Sequence, residues 1–179
     1  MRIRPYKPAY NLSLYLIYEA AARADGTEPM SEAEFLAWFA DPEQDFATHS
    51  FVITDDDDEL NPWGQSETLD GLEGDVVGYT TLALTQDTEG YHLLCRGAVH
   101  PAHRREHGGR LLLIGALNRA RQLAFDFEYE AEQAGIPVYF EALLPIQDPA
   151  SPRLAESSEM QPVDDALAPT GFMLYRREL

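Results

Sequence analysis

The chain has 179 residues, enough for one full domain, and its 45% of hydrophobic residues is ordinary for a globular protein. Its 31 acidic residues against 13 lysines and arginines give a formal net charge of −18, so generic binding to nucleic acid or to an anionic membrane is not expected. A lone cysteine excludes an intrachain disulfide, and the sequence shows neither a signal-peptide core nor an apolar run of roughly 20 residues. We therefore expect a soluble cytoplasmic protein.

The first fifty residues predict a short strand followed by two helices. The strand covers residues 2–5, and a first helix begins near Pro8 and fades near 25–26. Ser31 and Glu34 have the spacing of a capping box, and the helix that they open ends at 41–42. The apolar stripe of this second helix is expected in the core and consists of Phe35, Trp38 and Phe39.

A strand at Phe51–Thr54 leads into five consecutive acidic residues at 55–59. Like charges at this density repel one another and favour a solvated loop, which we expect to continue to about Gly74. The acids are also an alternative cation site, but consecutive carboxylates alone are weak evidence for a metal.

The middle of the chain predicts a hairpin and then a strand–helix–strand unit. Residues 76–85 and 91–99 read as antiparallel strands joined by a turn. A long helix over 109–132 has apolar residues at helical spacing, and Gly135 is placed to end it. Because the next strand, 138–144, follows a crossover helix, it should run parallel to the strand before the helix.

The last part of the chain, residues 145–169, is rich in proline, serine and acids. It predicts a loop with at most a short helix around 163–167. Residues 171–176 predict a last strand. Together the elements predict a single α/β (α+β) domain over residues 1–179, with one mixed, mostly antiparallel sheet flanked by helices.

The segment Val99–Leu112 carries the strongest functional signal. It reads Val-His-Pro-Ala-His-Arg-Arg-Glu-His-Gly-Gly-Arg-Leu-Leu, so a cationic loop with two adjacent glycines joins a strand to the long helix. The first N–H groups of a helix have no partner within it, the helix dipole favours an anion there, and glycine permits close approach. Four of the 13 basic residues lie within 15 positions here, namely Arg96, Arg104, Arg105 and Arg110. The segment therefore predicts a phosphate-binding loop.

This order of elements, together with three motifs, resembles the GNAT family of acyl-CoA-dependent N-acetyltransferases. The strand motif Val76-Val77-Gly78-Tyr79 is similar to the family's Val-x-Gly-hydrophobic signature, and Gly171-Phe172 is similar to its Gly-Phe pair. The family's Val-x-Pro…Arg/Gln-x-x-Gly-x-Gly/Ala pattern is matched at Val99, Pro101, Arg104, Gly109 and Leu112.

One position of this pattern departs from the family. His107 occupies the place of the first motif glycine. Its backbone must keep a negative φ, accept the left-handed conformation, or leave part of the turn to Gly108.

The resemblance implies a central parallel strand pair that splays apart, with acetyl-CoA as co-substrate in the gap. The strand at about Gly97–Val99 would separate from the strand at about Val138–Glu141. The pantetheine arm would pair with the backbone of Ala98 and Val99, and the Val99 N–H would polarise the thioester oxygen. The pyrophosphate would be held by the loop N–H groups, those of Arg104, Arg105, Glu106, His107, Gly108, Gly109 and Arg110.

The resemblance further implies direct attack by an amine, which needs a base for the amine and an acid for the leaving thiolate. Family members often carry the base on the strand before the loop, but here Cys95 and Arg96 occupy its polar middle, so Glu141 on the next strand is the candidate. The acid is often a tyrosine in the helix after the second parallel strand, and residues 146–168 contain none. The alternative is a catalytically silent acyl-CoA-binding or structural domain.

The acceptor implied by the resemblance is a small-molecule amine or a protein N-terminus, not a nucleic acid or a membrane. The family usually adds a strand after its Gly-Phe strand, and only Arg176–Leu179 remain for it here. We therefore expect either a truncated piece that lacks the last strand, or an unpaired edge at which a second copy or a second domain of this kind supplies it. An alternative zinc site at His100, His103 and His107 is disfavoured by the loop character of the segment, and no metal is predicted. Cys95 has no identifiable His and Asp partners and is interpreted as a buried strand residue.

Overall fold

The computed structural model describes residues 1–42, 45–56, 74–164 and 168–179. Its strands are β1 (Arg2–Pro5), β2 (Phe51–Thr54), β3 (Val76–Gln86), β4 (Tyr91–Val99), β5 (Val138–Pro145), β6 (Gln161–Val163) and β7 (Phe172–Glu178). Its helices are α1 (Asn11–Ala24), α2 (Glu32–Phe39), α3 (Phe46–His49), α4 (Gly108–Ala134) and α5 (Ser151–Glu156). The predicted acidic run from residue 57 onward, like most of its loop, lies outside the described residues.

The strands form one mixed sheet in the order β1-β2-β3-β4-β5-β7-β6. Every pair of neighbours is antiparallel except β4 and β5, which are parallel and are connected through α4. The predicted mixed, mostly antiparallel sheet with a parallel pair is therefore confirmed.

Local sequence explains where the main helices begin and end. At the start of α2 the Glu34 N–H donates to Ser31 Oγ at 3.3 Å, and the Ser31 N–H donates to Glu34 Oε2 at 2.8 Å, which is the predicted capping box. At the end of α4, Gly135 takes φ of 66°, the left-handed conformation that glycine adopts most readily.

The two faces of the sheet are covered by different helices. On one face, α4 packs its apolar side on a core that includes Leu93, Cys95 and Phe140. On the other face, α1 and α2 cover a core that includes Phe35 and Tyr79. Because side chains alternate along a strand, the residues next to Phe140 and Leu93 along β5 and β4 turn toward the α1 face. The polar side chains of the candidate site lie there.

The C-terminal part of the chain differs from the prediction. The short helix is α5 at Ser151–Glu156, not a helix around 163–167, where Val163 belongs to β6 and 165–167 lie outside the described residues. The three-residue strand β6, with Pro162 at its centre, pairs with β7 from Leu174 to Arg176. The expected unpaired edge at Gly171–Arg176 is therefore wrong, since β7 lies between β5 and β6. A strand of three residues carries too little periodicity to be seen in sequence.

Within the described residues, no helix combines the length and the apolar character that crossing a bilayer requires.

The core under α4 supports the strands that carry the site, so its packing can be tested directly. Phe140→Ala removes a ring that is fully buried, and we expect the free energy of unfolding to fall by about 3–5 kcal/mol. Phe125→Ala makes the same chemical change on α4, where the ring is 77% exposed, and should cost less than about 0.5 kcal/mol. Urea unfolding of both variants measures the difference, and equal losses would contradict the described core.

Candidate functional site

The parallel ladder between β4 and β5 stops before either strand ends. Its register runs from Tyr91 opposite Val138 to Cys95 opposite Ala142. Beyond that point β4 continues to Val99 paired only with β3, and β5 continues to Pro145 paired only with β7. The strands therefore part, and we call the gap between residues 97–99 and 143–145 the wedge.

The splayed pair is thus confirmed, with one correction. The expectation that β5 separates at about Val138–Glu141 is wrong, because that part of β5 is the part paired with β4. In a parallel pair the strands diverge at the same end, so the β5 side of the wedge is Leu143–Pro145.

Alternation in the β3–β4 ladder decides which backbone groups of β4 face the wedge. The His100 N–H donates to the Val77 carbonyl at 2.8 Å, so even-numbered residues of β4 bond to β3 and odd-numbered residues turn toward β5. The N–H and C=O groups of Gly97 and Val99 therefore face the wedge. The backbone of Ala98 faces β3 instead, so the pairing expected at Ala98 does not fit and moves to Gly97.

The loop from Arg104 to Arg110 turns sharply into α4. Arg105 and His107 both take positive φ, 69° and 68°, and His107 is the N-cap residue of α4. Gly108 does not share the positive φ, so the expectation that it would absorb part of the turn is wrong. His107 itself accepts the left-handed conformation, at a cost of about 1–2 kcal/mol for a residue with a Cβ.

The start of α4 offers backbone donors and no competing acid. The first bond within the helix is from the Leu111 N–H to the His107 carbonyl at 3.1 Å, so the N–H groups of Gly108, Gly109 and Arg110 precede it. No side chain caps the helix and its first turn holds no acidic residue. Unpaired donors at the positive end of a long helix dipole are suited to an anion.

Two glycines let this helix start approach the sheet. A Cβ at Gly108 would lie 2.6 Å from Ile53 Cδ1, so any other residue there would require the buried Ile53 side chain to move. A Cβ at Gly109 would lie 3.7 Å from Leu154 of α5 and 3.9 Å from Val99, in ordinary contact. Gly109 therefore lies between the wedge and α5.

The side chain of Arg104 is used inside the protein. Its guanidinium donates twice to the carboxylate of Asp25, at 2.6 and 2.7 Å, and lies 3.8 Å from Asp148. Asp25 is buried at the C-cap of α1, where the helix dipole disfavours a negative charge. The Arg104 guanidinium therefore also compensates the buried carboxylate of Asp25. The hydrogen bonds that Arg104 donates to Asp25 raise the pKa of its guanidinium, which stays charged.

The other charged side chains of the loop reach solvent. Arg105 and Arg110 are exposed, and within the described residues neither forms an ion pair. Glu106 lies 3.5 Å from His103, which is itself 3.8 Å from Asp55. Two free cations thus flank the donors at the start of α4.

Glu141 lies at the inner end of the wedge in a buried polar network on the α1 face. Its Oε1 accepts from Arg176 Nε at 2.6 Å and lies 3.0 Å from His92 Nδ1. The other ring nitrogen of His92 lies 3.1 Å from Asp87 Oδ1, and the Arg176 guanidinium stacks over the Tyr139 ring at 4.5 Å. The candidate base is thus brought next to the wedge, already held by two partners.

The remaining candidates, on β3, β4 and β7, are unsuited to proton or acyl transfer. Burial raises the pKa of the Cys95 thiol to about 11, so it is protonated at neutral pH and belongs to the core, as predicted. Burial also raises the pKa of Tyr79 far above its usual value. Tyr175 is buried in the core under α4.

The three loop histidines do not assemble a metal site. His100 and His103 are in contact, with ring centroids 6.0 Å apart, and His100 Nδ1 accepts from the Ala102 N–H. Among the described residues, no group of three or more His, Cys, Asp or Glu side chains could hold a metal ion.

Sequence reasoning missed the four side chains that complete the site, Asp25, Asp87, His92 and Arg176. Each meets its partner across 5 to 79 positions of sequence. The one partial signal in the sequence is that side chains alternate between the two faces of the sheet along β4 and β5. With the register known, this alternation puts His92 and Glu141 on the same face.

Comparisons with known proteins agree with this geometry. The model of the acetyltransferase (GNAT) family matches residues 13–139, more than half of the chain, whereas no curated protein matches. A putative acetyltransferase from Salmonella typhimurium, solved with its cofactor acetyl-CoA, superposes with a TM-score of 0.61 at 19% identity, covering 99% of this chain and 93% of that one.

Two further solved structures are ribosomal-protein-alanine N-acetyltransferases. The one from Brucella melitensis has a TM-score of 0.62 at 16% identity and covers 100% of both chains. The Escherichia coli enzyme for protein S18 has a TM-score of 0.57 at 16% identity, with 99% of this chain and 92% of that one covered. At these identities the likeness concerns the fold.

The left-handed backbone of His107 gives a stability prediction. His107→Gly removes the strain of a Cβ at φ of 68° but also increases the conformational entropy of the unfolded chain. The net expectation is a rise of about 0.5–1 kcal/mol in the free energy of unfolding. Arg110→Gly changes a position of ordinary helical backbone at the start of α4, where glycine relieves no strain. Its free energy of unfolding should therefore fall by about 0.5–1 kcal/mol. Thermal or urea unfolding measures both, and a loss of stability in His107→Gly would contradict the described loop.

Proposed function

The chain belongs to the acetyltransferase (GNAT) family, and we propose that it transfers an acetyl group from acetyl-CoA to a primary amine by direct attack. The observation that carries the proposal is the wedge between β4 and β5, which opens beside the uncapped start of α4. These two features lie next to each other because β4 leads through the Arg104–Arg110 loop into α4.

The described residues fit acetyl-CoA, the co-substrate that the family uses. The N–H groups of Gly108, Gly109 and Arg110 suit a pyrophosphate, and Arg105 and Arg110 add positive charge. The backbone of Gly97 and Val99 suits an arm with amide groups, which can pair with a strand that lacks its neighbour. When bound, acetyl-CoA supplies the thioester whose acetyl group is transferred.

The protein's own groups would then act at two atoms. The Val99 N–H faces the wedge and would stabilise negative charge on the thioester oxygen. Glu141 Oε1 lies at the inner end of the wedge and would accept, through water, the proton of the acceptor ammonium. A C–N bond forms as the C–S bond breaks, the sulfur leaves as a thiol, and one proton is released for each amide made.

A second candidate function is a catalytically silent acyl-CoA-binding domain. Two observations favour it. Glu141 is already engaged by His92 and Arg176, and the described residues of 146–168 contain no tyrosine that could protonate the leaving thiolate. Thiol release from acetyl-CoA over a panel of amines separates the two functions, because both require binding but only the first gives turnover.

The anion site predicts a charge-specific effect at Gly109. Gly109→Asp places a carboxylate among the donors of the first turn, where a Cβ meets only ordinary contacts, and should weaken acetyl-CoA binding at least about tenfold. Gly109→Asn has the same shape without the charge, and we expect a much smaller loss. Calorimetric titration with acetyl-CoA at low and high salt measures both, and equal affinities of the two variants would contradict the proposed pyrophosphate site.

The role of Glu141 predicts a loss of turnover without a loss of binding. Glu141→Gln keeps an oxygen for His92 and Arg176 but cannot take a proton, so kcat should fall by about 10²–10⁴ while acetyl-CoA affinity stays within about twofold. Glu178→Gln, which removes an exposed acid from β7, should leave kcat unchanged. A Glu141→Gln enzyme with wild-type kcat would overturn Glu141 as the base.

A further inference from the structure

A continuous line of polar groups connects Glu141 with the surface. Glu141 Oε1 lies 3.0 Å from His92 Nδ1, and His92 Nε2 lies 3.1 Å from Asp87 Oδ1. The Glu141 and His92 side chains are 7% and 9% exposed, whereas the Asp87 side chain is 59% exposed. The line therefore begins beside the wedge and ends in solvent at the turn between β3 and β4.

The imidazole of His92 is placed as a link rather than as an isolated hydrogen-bond donor. Each of its two ring nitrogens faces a carboxylate oxygen, and a neutral imidazole has one donor and one acceptor nitrogen. The ring can therefore receive a proton at Nδ1 while it gives one up at Nε2.

We propose that Asp87 and His92 form a proton exit for the acetyl transfer, carrying the proton released by the acceptor from Glu141 to solvent. This inference rests on the proposed function. The proton taken up by Glu141 Oε1 passes to the unprotonated Nδ1 of His92, the Nε2 proton passes to Asp87 Oδ1, and Asp87 gives it to water. A flip of the imidazole ring then returns its one N–H to the Asp87 side, so that the next proton can follow. No other reactant is needed, because each turnover releases one proton.

The charges around the line favour outward movement. Arg176 Nε donates to Glu141 Oε1 at 2.6 Å, so positive charge lies at the inner end of the line and repels a proton that moves toward Asp87. The hydrogen bond from the Glu89 N–H, and after it the bond from His92, keep the pKa of Asp87 below its usual value, so Asp87 readily loses its proton to water. The described charged or titratable groups in contact with the His92 ring are Asp87, Glu141 and Tyr139.

Asp87 allows a test with a matched control in the same turn. Asp87→Asn keeps an oxygen for the N–H groups of Glu89 and Gly90 but cannot take up a proton, whereas Glu89→Gln removes the same charge without touching His92. Thiol release from acetyl-CoA would be measured with L-lysine methyl ester, spermidine and an alanine-initiated hexapeptide, and kcat would be followed with the fastest of the three.

We expect kcat of Asp87→Asn to fall about tenfold in dilute buffer and to recover as buffer concentration rises, because dissolved bases replace the missing exit. Glu89→Gln should behave like the wild type at every buffer concentration. His92→Gly should lose turnover and regain it with added imidazole, which a merely structural role would not produce. Thermal unfolding checks that each variant is folded.

The outcomes separate this inference from the proposed function. Turnover by the wild type with equal, buffer-independent kcat in Asp87→Asn overturns the proton exit and leaves the acetyltransferase in place. Absence of turnover by the wild type with all three amines, despite acetyl-CoA binding, overturns the proposed function and the exit with it.

Discussion

Backbone pairing between β4 and β5 ends at Cys95 opposite Ala142, and the groups around the site take their positions from that ending. Had the ladder continued, the N–H and C=O groups of Gly97 and Val99 would bond to β5 and offer nothing to a ligand. Each strand can leave the other because it keeps its second neighbour, β3 or β7. Gly97 is exposed and Val99 is half-buried, so the opening is accessible to a ligand that can pair with these groups.

Backbone N–H groups at the start of α4, rather than charged side chains, form the centre of the proposed anion site. The chain is strongly acidic, yet the first turn of α4 is free of acids, and the segment Arg104–Arg110 that leads into it holds two exposed arginines, Arg105 and Arg110. The third arginine, Arg104, is committed to Asp25 and so ties the loop to the end of α1. Helix α1 covers the opposite face of the sheet from α4, so one ion pair fixes the loop relative to the face that carries Glu141.

The sequence reveals the parts of this protein that depend on local pattern and hides those that depend on register. The capping box, the helical spacing and the Val99–Leu112 motif act over a few residues, and the elements that they predict, α2 and α4 among them, are present. The splayed strand pair, which the family resemblance implied, is present as well. The end of the ladder on β5 was misplaced because it depends on which residue of β4 faces which residue of β5. The network from Asp87 to Arg176 was missed for the same reason, since it joins three separate strands and a turn.

The outermost strands of the sheet bear on behaviour at high concentration. Both β1 and β6 are short, of four and three residues, and each contains a proline, Pro5 or Pro162, that has no N–H to donate. Edge strands of this kind are poor templates for a further strand. Edge-to-edge pairing with another sheet is thus disfavoured at both ends, and with it the strand addition from which fibrils grow.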